Sequence, residues 1–176
     1  MKVIQLHKNN TDLISKAAKN NREAQHTLYE VHAPKMLSVC RYYVKDVQKA
    51  EEAMLNGFLK AFTNLKNFKN EGSFEGWLRR IMVREAISFL RQQKNIEFSV
   101  EEVETPHNYT NNINTEIEVA EIQQLIDELP EGYKMVFVMY AIEGYKHNEI
   151  SEMLNISEGT SKSQLFKARQ MLQRKI

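Results

Sequence analysis

The sequence predicts an all-α protein of two small helical domains, because apolar residues recur at three- and four-residue spacing along most of it. Only six glycines and three prolines interrupt its 176 residues, and β-branched residues rarely alternate with polar ones. A stretch without Lys or Arg separates two basic blocks. We therefore expect domains at residues 1–95 and 117–176, joined by a flexible acidic linker at residues 96–116.

The charges of the chain are strongly segregated. Residues 1–95 contain seventeen Lys or Arg against nine Asp or Glu, residues 96–131 contain none against ten, and residues 132–176 contain seven against four. Two basic blocks around an acidic connector are typical of a protein with two surfaces for a polyanion. Accidental clustering on solvated helix faces is the alternative explanation.

Several functional classes find no support in the sequence. The five histidines pair with no candidate nucleophile, no glycine-rich phosphate loop is present, and no Cys/His cluster has metal-ligand spacing. The longest apolar run, residues 135–142, is far shorter than the ~20 residues of a membrane span, and the start turns polar too early for a signal peptide. We expect a cytoplasmic protein that is not an enzyme, uses no metal or cofactor and does not insert into a membrane.

The sequence of the N-terminal block, residues 1–95, predicts a series of helices. The first begins near residue 11, and Asn21 should cap a second, longer helix. Pro34 should break that helix or begin another one, because proline disrupts a helix interior. Asp46 or a neighbour begins the next helix, and residues 64–72 should form a loop. The residues expected to face inward on the second helix are Ala24, Leu28 and Val31.

Residues 73–94 predict a strongly basic amphipathic helix that begins at Ser73. Outward arginines can neutralise phosphates, while the rings of Phe68, Phe74 and Trp77 can stack on unpaired bases, a combination typical of single-stranded DNA binding. Packing in a core is the alternative for these rings, above all for Trp77. The basic side chains of this helix are Arg79, Arg80, Arg84, Arg91 and Lys94.

The C-terminal domain predicts a small helical bundle. A helix capped by Thr115 should carry an apolar stripe that includes Ile122 and should end at Pro130-Glu131-Gly132. Residues 133–143 are apolar on nearly every side, which predicts a central buried helix.

Residues 147–176 contain two helical segments joined by Asn155-Ile156-Ser157, which is the pattern of a helix-turn-helix. The Ser157 side chain can accept a hydrogen bond from the first free backbone amides of the second helix. The negative charge of Glu158 is favourable at the positive end of the helix dipole. An ordinary helical hairpin with a solvated basic face is the alternative. The outward donors that favour DNA binding are Thr160, Lys162, Ser163, Gln164, Lys167 and Arg169.

Four stretches of the sequence together carry a family resemblance. They are AEEAMLNGFLKAF at 50–62, GSFEGWLRRIMVREAISFLR at 72–91, LPEGYKMVFVMYAIEGYKHNEISEML at 129–154 and NISEGTSKSQLFKAR at 155–169. In this order, across an acidic linker, they resemble the bacterial sigma-70 family of RNA polymerase sigma factors, in its extracytoplasmic-function (ECF) group. The resemblance implies a factor that binds core RNA polymerase, recognises the −35 and −10 promoter elements and helps to melt the DNA.

The resemblance also implies roles for individual residues. The first domain would bind the clamp helices of the largest polymerase subunit and the −10 element, and the second the −35 element and the flap of the second-largest subunit. An anti-sigma factor is a further possible partner. The polymerase contacts would be Glu51, Glu52, Leu55, Asn56, Phe58 and Lys60. The −10 contacts would be Phe68, Asn70, Glu71, Phe74, Arg79, Arg80, Arg84 and Arg91, with a base captured near Asn70 and Glu71. The −35 contacts would be Ser157, Glu158, Thr160, Lys162, Ser163, Gln164 and Lys167.

The chain departs from the family pattern at three places. Leu55-Asn56 stands where Gln followed by an acid is common, and Arg84 and Ser88 stand where Asn and Asp are usual. Ser161 replaces a common Val on the inward face of the last helix. A buried hydroxyl there needs a partner, such as the carbonyl four residues back.

Two other functions remain open from the sequence. A free-standing helix-turn-helix repressor or activator would bind a palindromic duplex tightly by itself, whereas a sigma factor would bind weakly without core polymerase. An interaction protein whose acidic segment imitates nucleic acid would bind polymerase without any promoter preference.

Overall fold

The computed structural model describes residues 11–69, 72–94 and 119–175, and every regular element within these ranges is helical. The chain divides into two compact units, Met1–Leu90 and Arg91–Ile176. The predicted all-α fold is thereby confirmed. The predicted linker and both predicted domain boundaries fall between residues 95 and 118, outside the described residues, and stay predictions.

The helices of the first unit begin where the sequence predicts them. Asn21, Asp46 and Ser73 each accept a hydrogen bond from the amide three residues further on, at 2.9, 2.9 and 3.0 Å, so each satisfies an amide that lacks an intrahelical partner. The elements are α1 (11–18), α2 (Arg22–Tyr43), α3 (Val47–Asn64), a 3₁₀ turn (Leu65–Asn67) and α4 (Phe74–Lys94).

Two expectations for α2 are wrong. Pro34 neither breaks nor begins a helix, because α2 continues through it to Tyr43. Its inner face remains buried on both sides of the proline, at Leu28 and at Met36, so packing against α3 stabilises the helix more than the proline disrupts it. Val31, expected to face inward, is exposed.

A close approach between α3 and α4 lies at Gly57. A Cβ atom placed there would come within 2.3 Å of Met82 Sδ, so a larger residue would require the Met82 side chain to move. The ring of His32 on α2 packs edge-on against Phe74 at the start of α4, with centroids 5.2 Å apart. The three long helices therefore share one core.

The second unit contains five helical elements within its described residues. Thr115 lies outside those residues, and Ile122, expected in the apolar stripe, is exposed. α5 ends at Asp127, three residues before Pro130, and Pro130 is the N-cap of α6, to which Glu131 and Gly132 belong. The elements are α5 (Val119–Asp127), α6 (Glu131–Phe137), a π-helical turn (Val138–Ile142), α7 (His147–Leu154) and α8 (Glu158–Gln173).

The predicted central helix is buried, but it is not a regular α-helix throughout. Met135, Val136, Val138 and Met139 are wholly buried, and α6 packs against α8. From Val138 onward the chain widens into the π turn, in which the Glu143 amide donates to the Val138 carbonyl at 3.0 Å. None of the described helices of either unit is both long and apolar enough to cross a membrane.

Candidate nucleic-acid interface

The turn between α7 and α8 has the geometry of a helix-turn-helix. Asn155 adopts a left-handed conformation with φ 57° and ψ 47°, which asparagine tolerates better than most residues. The amide of Ile156 then donates to the Ser151 carbonyl at 3.1 Å, closing the end of α7. Ser157 Oγ accepts from the Thr160 amide at 2.9 Å, so the predicted cap of α8 is confirmed.

The outer face of α8 presents both charged and apolar groups. Ser157, Glu158, Lys162 and Ser163 are exposed and Thr160 is half-buried. Lys162 Nζ lies 3.7 Å from a Glu158 carboxylate oxygen, an exposed pair of little energetic weight. Phe166 is 63% exposed and was missed by the sequence analysis. Its position four residues after Lys162 could have placed it on this face.

Two of the predicted α8 contacts are wholly or partly turned away from solvent. Gln164 is only 2% exposed, and its amide packs against Gly132, where a Cβ atom would lie 3.0 Å from Gln164 Nε2. Lys167 is half-buried, with Nζ 5.9 Å from the centroid of the Tyr133 ring. The expectation that Gln164 reads DNA is therefore inconsistent with its position, and Lys167 packs along the edge of the interface.

A hydrogen bond joins the two helices of the helix-turn-helix. His147 Nδ1 lies 2.8 Å from Ser161 Oγ, and Ser161 is wholly buried as predicted. Its partner is thus a ring on α7 rather than the carbonyl expected from the sequence. The His147 ring also stacks on Tyr140, with centroids 4.7 Å apart. Burial lowers the pKa of His147, and the nearby positive charge of Lys162 lowers it further.

Three aromatic rings form one cluster at the start of α4. The ring centroids of Phe68, Phe74 and Trp77 lie 5.3 to 5.7 Å from one another. Phe74 is only 5% exposed, which corrects the expectation that its ring is available to a base. Phe68 and Trp77 are half-buried and keep part of their surface open.

Basic side chains follow one face of α4. Arg80, Arg84 and Arg91 are exposed and Arg79 is half-buried. At about 100° per residue, the three exposed arginines fall within an arc of about 40°, and Trp77 lies next to that arc. Asn70 and Glu71, the predicted site of base capture, lie outside the described residues.

Trp77 lines two concavities of the first unit. The loop concavity has a volume of about 280 Å³ and the helix groove, between α3 and α4, about 470 Å³. Trp77 and Asn67 line both of them. The loop concavity is completed by Phe68, Lys69, Gly72, Ser73, Gly76 and Arg80. The helix groove is completed by Lys60, Asn64, Ile81, Arg84, Glu85 and Ser88.

The predicted protein-binding face of α3 is partly exposed. Glu51, Glu52 and Leu55 are open to solvent and Asn56 is half-buried, whereas Phe58 is 3% exposed and packs inside the unit. The expectation that Phe58 contacts a partner is therefore wrong. Leu59, missed by the sequence analysis, is exposed four residues after Leu55.

The exposed side chain of Lys60 on α3 reaches toward α4. Its Nζ lies 2.5 Å from a carboxylate oxygen of Glu85, a residue that is largely buried. The resemblance assigned Lys60 to the polymerase-binding surface, whereas this ion pair holds its charge at the wall of the helix groove.

Both units match models of regions of one family. Residues 28–96 match sigma-70 region 2, and residues 120–172 match sigma-70 region 4. Together these matches cover more than half of the chain. The first lies mostly in the first compact unit, and the second lies within the second.

Curated relatives and solved structures agree with these matches. The chain is 25% identical to the RNA polymerase sigma-H factor of Pseudomonas aeruginosa, over 91% of this chain and 90% of that protein. It is 26% identical to the ECF RNA polymerase sigma factor SigW of Bacillus subtilis, over 93% and 94%. In fold it is similar to CnrH in complex with the cytosolic domain of CnrY (TM-score 0.51, 20% identity, 92% of this chain and 93% of that one). It is also similar to RpoE in complex with the anti-sigma factor NepR from Bartonella quintana (TM-score 0.56, 16% identity, 85% and 94%).

Proposed function

The chain belongs to the sigma-70 family of RNA polymerase sigma factors, in its ECF group, and we propose that its two units divide promoter recognition between them. It directs promoter-specific initiation of transcription, and sigma factors are a non-enzymatic class of initiation factor. The unit that contains α7 and α8 reads the −35 element. The unit that contains α3 and α4 docks on core RNA polymerase and engages the −10 element. We assign the protein to the cytoplasm, where transcription takes place.

The recognition helix of the −35 element is α8. Its capped N-terminus is exposed, as is the adjacent face that carries Lys162, Ser163 and Phe166. Lysine can bind phosphate or guanine, and an aromatic side chain can contact the methyl group of thymine. This open, mixed face is the observation that carries the assignment.

The −10 element is engaged by the basic face of α4. Its exposed arginines can neutralise phosphates of a displaced strand, and the open parts of Phe68 and Trp77 can stack on unpaired bases. Phe68, Trp77 and Arg80 all line the loop concavity. We expect it to hold one unpaired base beside Arg80.

The outer face of α3 docks on the polymerase. Leu55 and Leu59 form a small exposed apolar patch flanked by the acidic Glu51 and Glu52, a composition suited to a basic protein surface with an apolar centre. The two structural neighbours were solved in complex with CnrY and with the anti-sigma factor NepR. We propose that an inhibitor of the same kind binds this chain and competes for the α3 face.

Transcription in vitro with core polymerase tests the −35 assignment. Lys162→Ala should reduce specific transcription from promoters that need a −35 element, because the helix loses an exposed cation at the DNA. If Lys162 contacts a phosphate, the slope of log binding constant against log salt should fall by about 0.9.

Lys19→Ala, which removes an exposed lysine from the first unit, is the charge-matched control and should change neither quantity. Normal transcription by Lys162→Ala would remove α8 from the −35 interface. Tight binding of wild type to a palindromic duplex without core polymerase would instead favour a free-standing regulator.

A further inference from the structure

The helix groove between α3 and α4 combines an apolar wall with opposite charges. Trp77 and Ile81 supply the wall, while Arg84 and Glu85 supply a guanidinium and a carboxylate on successive residues of α4. A volume of about 470 Å³ falls in the usual range of small-ligand sites, about 300–1,000 Å³. The groove can therefore take a planar group that is stacked on one side and hydrogen-bonded at its edge.

The two charged groups of the groove are not equivalent. Arg84 is exposed and offers only donors, in a rigid planar fork. Glu85 is largely buried and held by Lys60, whose Nζ lies 2.5 Å from one of its oxygens. An ionised carboxylate has about four lone-pair positions, so this ion pair leaves Glu85 able to accept further hydrogen bonds. The groove thus presents a donor pair beside a fixed acceptor.

Guanine matches this arrangement better than the other three bases. It offers two adjacent acceptors, O6 and N7, to a bidentate arginine. Its neighbouring edge carries two donors, N1–H and the N2 amino group, which suit a carboxylate. Adenine places an amino donor beside N7, so it would oppose one arm of Arg84, and the pyrimidines lack the O6/N7 pair.

We propose that the helix groove selects guanine in the unpaired promoter strand, with Arg84 and Glu85 as its specificity-determining residues. This inference rests on the proposed engagement of the −10 element by α4. It goes further because it assigns base choice to a site other than the loop concavity. Lys60 acts as a positioning residue, since it holds the Glu85 carboxylate in place.

A selection experiment tests the proposal with the full chain bound to core RNA polymerase. The probe is a library of bubble duplexes whose unpaired strand is randomised, and bound molecules are sequenced. Wild type should enrich guanine at one unpaired position. Placing 7-deazaguanine there, which lacks the N7 acceptor, should weaken binding roughly 10-fold. Inosine, which lacks the amino group offered to Glu85, should also weaken it.

Variants separate this site from general DNA affinity. Arg84→Lys keeps the charge but loses the fork, so guanine enrichment and the 7-deazaguanine effect should disappear together. Glu85→Gln should abolish the difference between guanine and inosine. Arg22→Lys makes the same change at an exposed arginine of α2, away from both concavities, and should behave as wild type. Circular dichroism spectra of all variants verify folding.

The possible failures are distinguishable. Bubble binding without any base preference, or guanine enrichment that survives Arg84→Lys and Arg84→Ala, would overturn the selection of guanine while leaving strand engagement by α4 intact. A wild-type complex that binds no bubble better than the matching duplex would overturn the proposed function of α4, and the guanine site with it.

Discussion

Two histidines occupy environments that oppose their protonation, one in each unit. His32 on α2 is buried against the start of α4, and burial lowers its pKa from the ordinary value of 6.5, with Glu75 opposing the change and Lys35 adding to it. The pKa of His147 is lowered mainly by burial as well. Because the unfolded chain then binds protons more readily than the folded one, acidification destabilises the fold.

We predict that the first unit loses stability as pH falls below about 6.5, the pH at which unfolded histidine begins to bind protons. Stability is full above that value and declines toward the lowered pKa of folded His32. Urea unfolding at pH 7.5 and 5.5, followed by fluorescence of Trp77, the single tryptophan, measures this. His32→Gln should reduce the loss relative to His26→Gln, which changes an exposed histidine. An equal loss in both variants would assign the pH dependence to other groups.

The sequence predicted residue types at the surfaces better than it predicted which way each side chain points. Ser161, Gln164 and Phe166 lie within two turns of α8. Their positions along the helix do not by themselves show which of its faces is buried. The close packing of α8 against α6 does decide it, because it draws Gln164 onto Gly132 and leaves Phe166 outside. Phe58 is a second example: the resemblance placed it on the polymerase-binding surface, but it is buried in the core of the first unit.

The sequence predicted where helices begin, but it did not predict whether a helix continues or is interrupted within its length. Asn21 and Ser157 cap helices as predicted, and Asp46 and Ser73 cap the helices predicted to begin near them, because capping depends on a local side-chain hydrogen bond. The continuation of α2 through Pro34 depends on packing against α3, which no local pattern reveals. The π turn after Phe137 was equally invisible to apolar periodicity.

The close approach of α3 to α4 leads to a prediction about Gly57. Gly57→Val should destabilise the first unit by about 1–3 kcal/mol, because the added methyl groups would overlap the buried Met82 side chain and force it to repack. Chemical unfolding followed by Trp77 fluorescence gives the free-energy change. Leu59→Val introduces the same β-branched residue on the exposed side of α3 and should cost only a few tenths of a kcal/mol. Equal effects would mean that helix propensity, not packing, limits position 57.

For the molecule as a whole, the segregation of charge was the most informative feature of the sequence. It predicted two folded blocks, and the two compact units and the two family matches follow the same division. The two concavities beside Trp77 could not be predicted, since they arise where α3, the 3₁₀ turn and α4 come together. Lys60 illustrates the difficulty, because its partner Glu85 lies on another helix.

We predict that the two units unfold independently. Val136 is wholly buried, so Val136→Asp would bury an unpaired charge in a bundle of only about sixty residues and should unfold the second unit. Helical circular dichroism should fall and −35 recognition should be lost. The Trp77 unfolding transition and polymerase binding should persist. Val31→Asp, at an exposed position, should change stability by no more than about 0.5 kcal/mol. Loss of the Trp77 transition in Val136→Asp would show that the first unit requires the second.

The hydrogen bond between His147 and Ser161 has a consequence for engineering promoter choice. A recognition helix transplanted from a relative with valine at position 161 would bring a methyl group to the Nδ1 atom of His147. The imidazole would then lose its hydrogen-bonding partner, and the graft would tilt or loosen against its new support. Chimaeras of this protein should therefore exchange positions 147 and 161 as a pair, so that altered DNA preference can be attributed to the outer face of the transplanted helix.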